Sequence, residues 1–147
     1  MGIFGKNQKQ PARPTLPRNI VSLMERFGRF EFYPQARNEN SMEIGMEWAE
    51  QIFPVAQADP ESFMKDLADA VLPVGGWAVY GASRSLWEAF GSANPHRQHP
   101  SYNAIMDASI EFLRANRVSL MYVRPYELEH WTSRGGTIET WLPQTTL

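Results

Sequence analysis

A chain of 147 residues, 43 % hydrophobic and 20 % charged, has room for one domain with its own core, since a chain near this size buries roughly 68–70 % of its unfolded surface. Cysteine is absent, which excludes thiolate catalysis, cysteine-ligated zinc, iron–sulfur clusters and disulfides. The net charge of −2 conceals an asymmetry: residues 1–37 carry seven Lys and Arg against two Glu, whereas residues 39–69 carry eight Asp and Glu against Lys65 alone.

Residues 1–17 are polar and basic, with Pro11, Pro14 and Pro17 at every third position, so a disordered leader of polyproline character is expected. Helical domain structure is expected over 18–147. The N-terminus has no apolar core for a secretory signal, and Lys6 stands where a myristoylation site wants Ser or Thr. The longest apolar stretch is broken by Pro73, Gly75, Gly76, Arg84 and Glu88, too often for a membrane span. A cytoplasmic protein is the expectation.

Asn19 can cap a first helix in which Ile20, Leu23, Met24 and Phe27 recur at helical spacing, with Gly28 as its terminator. Residues 29–33 then alternate and read as a short strand. After a loop over 34–40, Asn40 and Glu43 resemble a capping box for a second helix with Ile44, Trp48, Ile52 and Val55 inward, Gly45, Ala49 and Phe53 beside that stripe, and Glu43, Glu47 and Glu50 outward. Pro54 should kink or end it. Asp59-Pro60 places a cap and a first-turn proline at the start of a third helix, whose apolar face is Phe63, Met64, Leu67, Ala68, Val71 and Leu72 and which Pro73 stops.

Gly75-Gly76 joins this to a central helix over residues 77–90, apolar almost all round, for which Gly91 is the expected left-handed cap. Ser101 can cap a fifth helix ending near Asn116. Residues 118–123 and 137–142 are ambiguous short strands, separated by a short helix that starts at Pro125 and ends at Gly135-Gly136. The fold class is therefore mainly α, a bundle of five or six helices with at most short peripheral β pieces.

Several strings approach known chemistry. Tyr80-Gly81-Ala82-Ser83-Arg84 resembles the Tyr-x-x-x-Lys of short-chain dehydrogenases, but arginine replaces the lysine and no glycine-rich turn lies upstream. Gly81-Ala82-Ser83-Arg84-Ser85 half-matches a serine nucleophile elbow, yet Ser83 falls in mid-helix, where small residues let a neighbouring helix approach. His96 and His99 with Asp107 have metal-ligand chemistry but lie in a loop between prolines, without the fixed spacing of a helix face. Residues 113–126 echo a helix-turn-helix, although Pro125 would break its recognition helix. No catalytic residue, metal or cofactor is assigned, and no family is recognised.

Arg84 is the strongest anomaly. Trp77, Tyr80, Arg84 and Trp87 share one helical face, where the guanidinium would lie between aromatic rings. It would either bind an anionic ligand or pair internally with a carboxylate, for which Glu47 is the candidate. The leading expectation is a non-enzymatic protein-interaction or regulatory domain, with Glu43, Glu47 and Glu50 as the partner-binding face. The alternative is a small-molecule or anion site, possibly enzymatic, around Arg84, Tyr80, Trp77 and Trp87. A third is nucleic-acid binding through 113–126 and the basic leader.

Overall fold

Residues 78–86 are buried without a break, and a helix buried all round has to run through the middle of others. The computed structural model describes residues 14–32, 39–91 and 94–143. The helices are α1 (Ile20–Phe32), α2 (Glu39–Gln51), α3 (Phe53–Ala58), α4 (Pro60–Val71), α5 (Gly76–Phe90), α6 (Pro100–Ala115) and α7 (Pro125–Ser133), with a 3-10 turn at Leu120–Tyr122. No strand occurs among the described residues. With α2 and α3 counted as one helix kinked at Ile52 to Pro54, this is the expected mainly α bundle.

The central helix is α5. It makes its most extensive contact with α1, packs against α6, and is further covered by α4, while α2 lies on α1 and α7 on α6. Leu23, Met24, Ile52, Phe63, Leu67, Leu86 and Ile105 meet in the main core. Tyr80, Ile110, Leu113 and Trp141 form a second cluster toward the end of α6.

Backbone proximity explains why Gly28 does not terminate α1. The helix runs on to Phe32, and Gly28 faces Gly81 of α5: a Cβ on Gly28 would lie 2.8 Å from the Trp77 carbonyl oxygen, and one on Gly81 would overlap the Met24 carbonyl. Two glycines thus let the helices touch main chain to main chain. Residues 29–32 are accordingly helical and not a strand; Tyr33 lies outside the described residues. Gly81→Ala is expected to force the pair apart and to cost about 1–3 kcal/mol, the usual range for overpacking. A urea midpoint equal to the wild type's would contradict that contact.

The local signals at α4 act as expected: the Asp59 carboxylate accepts the Ser62 N–H at 3.2 Å, Pro60 opens the helix and α4 ends at Val71. Gly75 and Gly76 have φ of 72° and 58°, the positive range that glycine tolerates. Gly91 also has positive φ, but its ψ of −168° makes it an extended glycine turn and not a left-handed cap. At α6 the cap is His99 rather than Ser101, since its Nδ1 accepts the Ser101 N–H at 3.1 Å with Pro100 at the first helical position.

Neither C-terminal candidate strand forms. Residues 118–123 contain only the 3-10 turn, and 137–142 fold into turns closed by Thr137 and Thr140. Trp141 plugs the second cluster, where its indole N–H donates to the Val118 carbonyl at 2.6 Å. Asn40, expected as a cap, lies within α2, which begins at Glu39; most of the 1–17 leader lies outside the described residues, within which Leu16 packs against the main core.

Candidate functional site

Arg84 lies on α5 with only 3 % of its surface exposed, so its charge has to be answered from within the fold. Its Nε and one terminal nitrogen donate to Glu31 Oε1 at 3.3 and 2.7 Å, and that same nitrogen reaches Glu88 Oε1 at 3.2 Å. The other terminal nitrogen donates to the Tyr126 hydroxyl at 2.8 Å. Burial disfavours the guanidinium charge, but Tyr126 and Glu31 more than offset it and hold Arg84 above the usual arginine range.

The partner is therefore Glu31 of α1 and not Glu47. Glu47 instead takes a two-pronged contact from Arg26, at 2.9 and 3.2 Å, whose hydrogen bond holds its carboxyl below the usual range. Glu31 continues the buried stripe of α1 that begins at Ile20, Leu23 and Met24. That stripe was the available signal, and reading Gly28 as a stop concealed it.

The aromatic face of α5 divides. Trp87 stacks on Tyr126, with centroids 4.5 Å apart and rings 3° from parallel, and Arg84 lies 5.4 Å from the same Tyr126 ring. Trp77 and Tyr80 turn away to make edge-to-face contacts with Phe32, and Trp77 also meets Phe112. Burial pushes the Tyr80 and Tyr126 hydroxyls well above the ordinary tyrosine range, so both are neutral.

Glu127, which the sequence reading did not single out, completes the cluster from α7. It is fully buried. One oxygen accepts the Arg124 backbone N–H at 2.7 Å, as expected of an acid at the third position of a helix, while Oε2 has no partner. Arg124 in turn donates to the Glu31 carbonyl at 3.2 Å. The cluster thus holds two guanidiniums, of Arg84 and Arg124, and three carboxyls, of Glu31, Glu88 and Glu127. Burial pushes the Glu127 carboxyl up to about 7, against the pull of the Arg124 N–H and the Arg84 and Arg124 charges.

On α2 the structure brings together a different surface. Glu43 and Glu50 are exposed and Glu47 is half-buried. Beside them Met42, Met46 and Phe53 are 69, 60 and 40 % exposed, and Ala49 is exposed between them. Ala49 and Phe53, expected to flank the buried stripe, therefore face out.

The other candidate motifs are dispersed. Ser83 is buried, with its hydroxyl on the Met106 sulfur at 3.2 Å. His96 packs edge-on against Phe90, His99 caps α6, and Asp107 pairs with His130 at 2.6 Å and with Arg134 at 2.8 and 3.0 Å. Burial raises the Asp107 carboxyl, but Arg134 and His130 outweigh it and hold it below the usual range. This pair borders a groove of about 400 Å³ between α6 and α7, in which Arg114 covers Trp131 at 4.2 Å. Residues 113–126 hold the end of α6, the 3-10 turn and the start of α7, with no recognition helix from Val118 onward.

No helix among the described residues is long and apolar enough to cross a membrane. Set against family models, curated proteins and solved structures, the chain matches none of them.

Proposed function

We propose that this chain is a non-enzymatic protein-interaction domain whose docking face is the outward side of α2. The observation that carries this reading is the exposed run Met42, Met46 and Ala49, spaced by four and three residues, with Phe53, 40 % exposed, following at the start of α3. At about 100° per residue the three α2 positions fall within a band about 60° wide, with Glu43 and Glu50 along one edge. Trp48 and Ile52, which face the core, lie on another side of the helix. Methionines at an exposed surface adapt to a partner's shape, and a contiguous apolar patch is a recognised mark of an interaction site.

The sequence supplies no Lys or Arg between residues 39 and 64. The matching partner surface is therefore an apolar ridge bordered by basic residues, and nucleic acid is a poor fit to this face. The ligand-binding alternative around Arg84 has less support, because four hydrogen bonds to Glu31, Tyr126 and Glu88 occupy the guanidinium inside the fold. The proposal includes a cytoplasmic setting, for which the cysteine-free sequence is the support.

Capture from native extract with tagged wild type and Met46→Glu, compared by mass spectrometry, tests the reading. Because Met46 is exposed, the variant should keep the wild-type circular dichroism spectrum and melting temperature while losing a partner that the wild type retains. Identical capture profiles would refute the assignment of this face.

A further inference from the structure

The molecule carries a second exposed apolar surface, and an exposed arginine borders it where acids border the α2 face. Met121 and Tyr122 in the 3-10 turn are 78 and 59 % exposed. Beside them a groove of about 240 Å³ is lined by Leu120, Ile138, Trp141 and Leu142, with Ser119 and Glu139 at its rim. Between residues 112 and 126 the charged residues are Arg114, Arg117 and Arg124, and no acid intervenes.

Arg124 belongs to the buried cluster with Glu31 and Glu127, and Arg114 covers Trp131, whereas Arg117 donates only to a carbonyl oxygen, that of Pro143, among the contacts of the described residues. A carbonyl orders a guanidinium without cancelling its charge. Arg117, which is exposed, therefore sets a positive charge beside the apolar tip of the turn, the chemistry that the α2 face lacks, while Glu139 is the acid in the groove beside it.

Resting on the interaction reading above, we infer that the occupant of the α2 face is the 117–124 turn of a second copy of this chain. Met121 and Tyr122 lie on the Met42, Met46 and Phe53 stripe, and Arg117 approaches Glu43 and Glu50. The two faces differ from each other and are both exposed in the folded chain, so they do not satisfy one another within one molecule. Contact between them is head to tail, and each added copy leaves one face of each kind free. Such association buries apolar area and draws on exposed opposite charges, so it weakens as salt screens them.

Sedimentation velocity on the full chain over a wide concentration range tests this. The wild type should shift to species larger than a dimer as concentration rises, and back toward monomer in high salt. Met46→Glu and Met121→Glu each remove one face at an exposed position, so each alone should stay monomeric with an unchanged circular dichroism spectrum. Mixed in equal amounts, they should form a one-to-one dimer and nothing larger, because each supplies the face that the other lacks.

A wild type that is monomeric at every concentration overturns the inference, and so does a Met121→Glu variant that still self-associates, which would mean that α2 meets α2. Docking of the chain's own residues 1–13, with Lys6, Lys9 and Arg13, would give the monomer result. A monomeric wild type whose captured partner is still lost in Met46→Glu ends the self-association model and leaves the interaction reading standing. If the capture profile is unchanged as well, both fail.

Discussion

Arg84→Leu should lower the stability of this protein by about 3–5 kcal/mol, the usual consequence of removing one partner from a buried ion pair. The loss arises mainly from what remains. Glu31, itself 7 % exposed, would keep its carboxyl in a dry environment without its guanidinium, and Tyr126 would lose the donor at 2.8 Å. Arg84→Lys should lose less, because an ammonium can still reach Glu31, but it cannot serve Glu31, Glu88 and Tyr126 together as a flat fork does. The paired substitution Glu31→Leu with Arg84→Leu should recover part of the single variant's loss, since the buried Glu31 carboxyl is removed together with Arg84. Urea unfolding of the three variants measures the differences. Wild-type midpoints for both Arg84 variants would show that the guanidinium does not serve the fold.

Stability should also fall as pH rises through neutrality, and Glu127 is the cause. In the unfolded chain its carboxyl ionises near the ordinary 4.5, whereas burial on α7 holds the proton until about 7. Between those values the folded state binds more protons than the unfolded state, so ionisation favours unfolding. The contribution is fully present below about 4.5, is lost progressively as pH rises, and levels off above about 7. At about 1.4 kcal/mol per pH unit this amounts to roughly 3 kcal/mol.

The groups that face Glu127 are Tyr80 and Arg84 from α5 and Arg124 and Tyr126 from its own end of the chain. Tyr80 and Tyr126 stay neutral and Arg84 stays charged throughout that window. Glu127→Gln keeps an oxygen for the Arg124 N–H but cannot ionise. Relative to wild type it should gain stability above neutral pH and remove this slope. Urea midpoints from about pH 5 to about pH 8 provide the check. Parallel wild-type and variant curves would mean that the Glu127 carboxyl does not titrate there.

What could be read along the chain was set by interactions within one helical turn. Asp59-Pro60, the Pro73 stop, the Gly75-Gly76 joint and the Pro125 start act on backbone torsions and nearby N–H groups, so their residue types suffice. The stripes of α1 and α4 were largely legible too, because a helix with one apolar face states which side it buries, although Leu72, expected on that face of α4, lies past its end and is 38 % exposed. The same logic fails for α5: buried from Ala78 to Leu86, it offers no preferred face, so periodicity could not say which helix would meet Arg84.

Tertiary structure decided that. The Gly28 and Gly81 crossing sets how α1 lies on α5, and this carries α1 past its apparent terminator and brings Glu31 to Arg84 from 53 residues away. Glu127 and Tyr126 arrive by the docking of α7, and Trp141 becomes a core plug because the Val118 carbonyl and the second cluster receive it. The α2 face reverses the lesson. Its acids were visible in the sequence, but Met46, Ala49 and Phe53 are apolar residues of the kind that cores take, and only the packing of Trp48 and Ile52 fixed them as surface.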